Sequence, residues 1–424
     1  MQLMLPVANV RPLAVGRGAL TPECLLSPLF PPPLQSKGLF SRVFGKSDSS
    51  QAKHEAALDD WNSMRETVRS QTEPSVTARD VLLRYFYQVS YAESRFPVGE
   101  AASIKVKFGW NNSFSPRSRY VTQYSLVYEK ACVFFNAIAV ETQLGCATER
   151  LTKDGIKRAA KHFCCAAGML DYLKESVCCN LDDAERGADL NDEALDFLSQ
   201  FMVAQAQMCT YEMGAKKPFP PKILAQIAFG ARDAFRRAAA TFDALSPAIQ
   251  QGLVFKNDDL LSQAKNGGLR NTGAVLAAFF DAKGHYHQGC AELAVAQSDD
   301  VLEGFGAVIK RLHLAEEKCA GALALAKARA TRVDDAALLA QLAALSAEIA
   351  AVCGPAERAN SSVYFENVDG ATLTAVEGKV LVKPEPYVMD STVADPFRSI
   401  VPPIVHEGEC SFIYRYIPRE SCSQ

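Results

Sequence analysis

Residues 120–175 carry the most regular alternation of apolar and polar positions in the chain. In YVTQYSLVYEKACVFFNAIAVETQLG, Tyr124, Val127, Tyr128, Ala131, Phe134, Phe135 and Ile138 recur at three- and four-residue steps and so share one face of a helix. In DGIKRAAKHFCCAAGMLDYLKES, Ile156, Ala159, Ala160, Phe163, Ala167, Leu170 and Leu173 repeat the pattern. Gly145 is placed to stop the first helix, because glycine adopts the left-handed C-cap conformation without a Cβ clash. A short polar connection makes the two helices antiparallel, and Ala131, Ala137, Ala139, Ala159, Ala160 and Ala166 let them approach closely. The pattern predicts a helical hairpin at the centre of a larger helical body.

Helical spacing extends to both sides. Towards the N-terminus it covers Gln51–Arg69 and Thr77–Ser90, and the aromatic cluster Tyr85, Phe86 and Tyr87 reads as core. Phe96-Pro97 closes that segment, since a residue before proline avoids helical dihedrals. Ile104, Val106 and Phe108 alternate with Lys105 and Lys107, which predicts a half-buried strand ending at Trp110 and a small sheet. Beyond the hairpin, a helix over Asp189–Gly214 carries the stripe Phe197, Phe201, Ala204, Met208 and Tyr211. The next opens at Pro220-Pro221 and carries Ile223, Leu224, Ile227, Ala231, Ala234, Phe235 and Phe242. Further helices are expected over Thr272–Gln297, Asp299–Lys327 and Val333–Val352, the last stopped by Gly354-Pro355.

From Ser361 the texture changes. Val363, Phe365, Val368, Val380, Leu381 and Val382 read as extended, and the prolines from Pro384 to Pro403 forbid long helices. This segment is expected to wrap back along the body as an ordered strap. The fold class is therefore mostly α: one large elongated domain with a solenoid core resembling tetratricopeptide repeats, a small β-sheet and a C-terminal strap. No repeat with the Trp/Gly/Tyr signature of that class is present, so it is not a true repeat array.

Composition changes the picture at the N-terminus. Within residues 1–50, seven prolines fall by Pro33, and Arg11, Arg17, Lys37, Arg42 and Lys46 outnumber Glu23 and Asp48. The reading is an irregular arm with at most one short strand at Leu3–Val10. An organelle transit peptide is the other reading, but this proline density spoils an amphipathic helix. Residues 51–420 are expected to form the domain and 421–424 a tail.

A formal net charge of -3 leaves no basic excess for nucleic acid. No run of 18 or more apolar residues is present, so no membrane span is expected. Thirteen cysteines without a secretory leader point to reduced thiols in the cytoplasm. Cys132, Cys164, Cys165 and Cys209 lie on faces of small apolar residues, where a thiol packs as a small hydrophobe.

Catalytic and metal motifs are not recognisable. Adjacent Cys164-Cys165 and Cys178-Cys179 cannot converge on one ion from a helix, and no CxxC or HxxxH spacing supports them. His285 and His287 are two apart and face different ways, while His162 sits inside the central helix as a satisfied or snorkelling side chain. No GxSxG elbow or GxxxxGK[ST] cradle is present, and the wording at Glu303–Gly306 falls inside an expected helix. The expectation is a non-enzymatic protein with no cofactor.

Six stretches in order carry a resemblance: FGWNNSF with YEKACVFFNAIA (Phe108–Phe114, Tyr128–Ala139), GIKRAAKHFCCAAGMLDYLKE (Gly155–Glu175), AQAQMCTYE (Ala204–Glu212), YHQ (Tyr286–Gln288), SSVYFENV (Ser361–Val368) and GKVLVKPEP (Gly378–Pro386). Together they resemble the Bro-one domain of Alix and its relatives over residues 75–400. The resemblance implies an adaptor of the ESCRT system, cytoplasmic and recruited to endosomal membranes. It also implies a groove that takes the C-terminal amphipathic helix of a Snf-seven-type ESCRT-III subunit. The carried-over groove falls on Thr210, Ile223 and Ile227, with Tyr211, Leu224 and Lys153 alongside. Thr210 stands where Alix-like sequences place a phenylalanine, and Lys153 where they tend to carry an acid.

The alternative is a helical scaffold that keeps the fold but binds a different partner or a membrane surface. The coiled domain and proline-rich tail of multi-domain relatives are not expected here. Prenylation is not expected either, because Cys422 is third from the end and farnesylation needs the fourth. Membrane contact is then expected to be peripheral.

Overall fold

The computed structural model describes residues 51–398, apart from 70–73, 97, 103–105, 111, 114–120, 183–185, 218, 254–267, 299–302 and 329–335. The expectations for the N-terminal arm, its strand or transit peptide, and the C-terminal tail lie outside the described residues.

Helices account for most of the described chain. Gln51–Arg69 forms α1 and Val76–Glu93 forms α2. Phe108–Trp110 (β1) pairs antiparallel with Val121–Gln123 (β2), which makes the small expected sheet. The central hairpin is α3 (Leu126–Ala147) and α4 (Lys153–Tyr172). Then come α5 (Asp192–Ala215), α6 (Pro221–Ala244) and the short α7 (Pro247–Gly252). The last long helices are α8 (Gly268–Ala296), α9 (Phe305–Lys327) and α10 (Ala336–Ala359).

Local chemistry explains the starts. The Ser75, Ser125 and Thr152 hydroxyls accept from Ala78, Tyr128 and Gly155 amides. Each satisfies one orphan N–H of a first turn. The expected Asp189 start becomes a 3₁₀ turn, Ala188–Leu190, and Asn191 then caps α5. Pro221 opens α6 at the first helical position.

Long helices pack on their chain neighbours in sequence, α1 on α2, α2 on α3 and so on to α9 on α10, with α8 following α6. This is the solenoid expected from the alanine-rich pairs. One hydrophobic core cluster extends from Trp61 to Phe397. At its centre α3 departs from the one-face expectation, since 17 of its 22 residues are buried.

Three stop and start signals act differently from expectation. Gly145 lies inside α3, which ends at Ala147 with Thr148 as its C-cap, and a Cβ there would press on Phe163 and His162 of α4. It marks a close approach of the hairpin arms. The helix expected from Asp299 begins at Phe305, after Gly304 in a left-handed conformation. The Gly304 and Gly306 amides donate to the Glu366 carboxylate at 2.7 and 2.8 Å, an acid on the positive end of a helix. Finally, α10 runs through Gly354 and Pro355 to Ala359 and into a π turn, Asn360–Tyr364. Leu338–Tyr364 is long and apolar enough to cross a membrane by length and composition. Leu338, Leu342, Leu345 and Ile349 of α10 are buried in the core.

The strap follows as expected in outline, but Val363 sits in the π turn and Phe365 takes a left-handed φ of 54°. From there the chain retraces the solenoid in reverse. Lys310 and Arg311 of α9 donate to the carbonyls of Asp369, Ala371 and Thr374. The Lys379 amide donates to Gln226 of α6, and Gln207 of α5 brackets Lys379 and Leu381. The Glu385 amide donates to Cys164 of α4. Tyr387 meets Tyr87 of α2, and Phe397 packs on Trp61 of α1.

A candidate partner-binding edge between two loops

The groove residues expected from sequence lie where α5 ends, α6 begins and α4 starts. They do not share one exposure. Ile223 is 39% exposed on the first turn of α6, where no earlier turn covers it, whereas Ile227 is 2% exposed within the core cluster. Leu224 is buried at the margin, 3.1 Å from where a Cβ on Gly214 would lie. Thr210 is half-buried, and its hydroxyl donates back to the Ala206 carbonyl at 3.2 Å.

Tyr211 points away from this edge. Its ring meets Phe280 edge-on, and its hydroxyl lies 2.7 Å from His287 Nε2 on α8. Burial, and then the neighbouring Lys283 charge, push the His287 pKa down to about 3, so the imidazole is neutral near pH 7. The ring of Tyr211 is therefore committed to the core and does not replace the one that Thr210 lacks.

Two apolar residues that sequence reasoning passed over complete the edge. Leu151 is 58% exposed in the α3–α4 connection, and Phe219 is 38% exposed before α6. The two loops are fastened together. Lys216 Nζ donates to the carbonyls of Arg150 and Leu151 at 2.7 and 2.6 Å, and Arg150 pairs with Glu212 in a buried contact of 2.9 Å. The available signal was a large apolar side chain between lysines and prolines in KKPFPPK, where solvent exposure is otherwise the rule for a loop.

Charge surrounds this patch. Lys153 and Lys222 are exposed in the first turns of α4 and α6, and Lys217 lies 5.7 Å from the Phe219 ring. Cations at helix N-termini oppose the macrodipole by roughly 0.3–1 kcal/mol each. Among the described residues none of these three lysines is paired with a carboxylate. Glu149 and Asp154 are the nearest acids in sequence, and Asp154 lies 4.0 Å from Lys157.

Elsewhere the candidate chemical groups serve structure. His162 pairs with Glu141 at 2.8 Å, and His285 stacks edge-on against Phe229. Cys132 and Cys209 are buried, while Cys164 and Cys165 lie half-buried beside the strap residue Glu385. Burial, with help from the Glu385 hydrogen bond, pushes the Cys165 thiol up to about 12, too high for a nucleophile near neutral pH.

The chain is thus an elongated helical solenoid closed by a reverse strap, with an exposed apolar edge at the α5–α6 turn and Lys217 over its Phe219 ring. The sequence profile of the BRO1-like domain matches residues 37–415, and the chain belongs to that family. It is 27% identical over 370 residues to ALG-2 interacting protein X of Dictyostelium discoideum, covering 87% of this chain and 43% of that protein. It is 28% identical to the vacuolar protein-sorting protein bro1 of Aspergillus fumigatus, covering 62% of this chain and 24% of that protein. The chain thus spans less than half the length of these curated relatives. Among solved structures, the fold is similar to the ALIX BRO1 CHMP4C complex with a TM-score of 0.69 at 23% identity, covering 88% of this chain and 96% of that one.

Proposed function

We propose that this chain is a non-enzymatic adaptor of the ESCRT system that binds the C-terminal amphipathic helix of a Snf-seven-type ESCRT-III subunit. The binding surface is the edge formed by Leu151, Thr210, Phe219, Ile223 and Leu224, with Lys153 beside it. Ile227 supports this edge from beneath, and Tyr211 faces the core. The observation that carries the reading is the exposed apolar trio Leu151, Phe219 and Ile223 on two loops fastened together by Lys216. Such a patch suits the apolar face of one helix. The solved relative whose printed description pairs ALIX BRO1 with CHMP4C supports the choice of partner.

The lysines refine that choice. Lys153, Lys217 and Lys222 call for acidic residues on the polar flank of the guest helix, because an incoming carboxylate would relieve two cations held at helix N-termini. Work at the endosomal surface, with the protein otherwise cytoplasmic, follows from that partner.

A second reading draws on Thr210, whose hydroxyl is bonded to its own helix and offers no ring. On that reading the edge serves another partner or an anionic membrane. Calorimetry with the C-terminal helices of Snf-seven-type subunits separates the two. Binding to one of them supports the adaptor. No heat with any of them at high micromolar concentration, together with sedimentation on anionic vesicles, would establish the second reading.

A further inference from the structure

On a different pair of helices, α9 and α10 bring together another kind of cluster. His313 of α9 and Cys353 and Glu357 of α10 place their ligand atoms all within 4.8 Å of one another. His313 Nε2 lies 2.7 Å from Glu357 Oε1. Cys353 and Glu357 are four residues apart and so share a helix face, and His313 meets them from the facing helix. Glu316, one turn after His313, is exposed, and its charge acts on the same thiol.

The donor set is specific in kind. One imidazole nitrogen, one thiol sulfur and one carboxylate oxygen match a borderline-soft divalent ion such as Zn²⁺. Calcium and magnesium demand shells of oxygen and gain nothing from sulfur. The surroundings also suit a metal. Cys353 is 5% exposed and packs with Phe305, Val308 and Leu312 in a small apolar cluster, so the sulfur forms a dry floor. His313 and Glu357 are each about half exposed, which leaves the opposite side open to solvent. Tetrahedral coordination with bonds of about 2.0–2.3 Å sets ligand atoms roughly 3.3–3.8 Å apart. His313 and Glu357 now touch at 2.7 Å, and both are half exposed, so solvent rather than packed side chains borders them on the open side.

We propose that His313, Cys353 and Glu357 form a zinc-type transition-metal site that clamps α9 to α10, with Glu316 or water as the fourth ligand. Its place in the fold gives it a role. Of the helices it joins, α10 leads directly into the turn from which the strap departs, and the N-terminus of α9 is capped by the strap residue Glu366. Sequence spacing conceals the site, because its two halves lie 40 residues apart and neither half is a familiar pair.

The test uses the full chain, freed of any affinity tag, stripped with chelator and titrated with Co²⁺ and then Zn²⁺. The expected result is about one equivalent of Co²⁺ with a thiolate charge-transfer band and the intense visible bands of a tetrahedral ion, all displaced by Zn²⁺. Cys353→Ser should abolish the charge-transfer band, and His313→Ala and Glu357→Gln should each weaken binding more than about tenfold. Cys179→Ser, which removes an exposed thiol elsewhere, should keep the full signal. Circular dichroism identifies any variant that fails to fold, and Glu357→Gln, being isosteric and at the surface, keeps the test decisive. Absence of the band in the parent chain, or equal binding by folded His313→Ala and Glu357→Gln variants, would overturn the proposal.

Discussion

Glu129 shows what a single residue does in this fold. Fully buried on α3, it accepts from Arg65 of α1 at 3.3 Å, Tyr85 of α2 at 2.9 Å and Trp110 of β1 at 2.6 Å. One carboxylate thus joins the first two helices and the sheet to the central hairpin. Glu129→Ala should cost about 3–5 kcal/mol, because it removes the buried carboxylate that Arg65, Tyr85 and Trp110 all donate to. Urea denaturation measures this, and a loss below about 1 kcal/mol would mean the network is not holding these elements together. Ile227 and Ile223 make the complementary pair. Ile227→Asp would bury an uncompensated carboxylate and should destabilise by several kcal/mol. Ile223→Asp places the charge in solvent and should leave the melting temperature within a few degrees of the parent. Thermal melts of the two variants compare them directly.

Among the elements, the strap is the one whose placement depends most on distant residues. Where it crosses α6 and α4, a Cβ on Gly230 or Gly168 would collide with the carbonyl oxygens of Lys379 and Glu385. Both helices therefore present bare backbone at the crossing, and Gly230→Ala should lift the strap locally while leaving the helices folded. Hydrogen exchange at Lys379 and Leu381, whose amides bond Gln226 and Gln207, should then accelerate by about tenfold or more. Unchanged protection at both amides would mean that the crossing tolerates a side chain.

Helix spacing, the polar hairpin connection and the proline-rich tail made the helices and the strap legible in the sequence. The crossings were not, because each pairs a glycine with a residue some 150–220 positions later. Periodicity also assigned Ile223 and Ile227 to one face but said nothing of how far α5 covers that face. Leu151 and Phe219 escaped notice for the same reason, since exposure is set by the neighbouring loop. Gly145 and Pro355 misled as stop signals: one is needed for packing, and the other is carried inside α10.

For the whole molecule, the buried histidines set the response to acid. Burial lowers His287 to about 3 and His285 to about 4. In the unfolded chain both return to about 6.5, so below that pH the unfolded state binds more protons. Stability is full above about pH 6.5 and declines as pH falls towards these values, by up to about 1.4 kcal/mol per pH unit for each group. Glu141 adds to the loss further down. Burial would raise its pKa, but hydrogen bonds from His162 and Arg79 outweigh this and hold it low, so its contribution fades as pH falls through that lowered value. His287→Gln should therefore flatten the dependence of melting temperature on pH between about 6.5 and 4 relative to the parent. A variant with the parent's slope would remove His287 from this account.

The central claim is that the edge around Ile223 receives an acidic amphipathic helix, and titration of a labelled Snf-seven-type C-terminal helix against the parent and Ile223→Asp tests it most directly. The parent should bind, and binding should weaken as salt screens Lys153, Lys217 and Lys222. Ile223→Asp, still folded, should lose about 2–4 kcal/mol of binding, which is roughly thirty-fold to several hundred-fold in Kd. Equal affinity for the two proteins, or a parent that binds none of these helices, would contradict the claim.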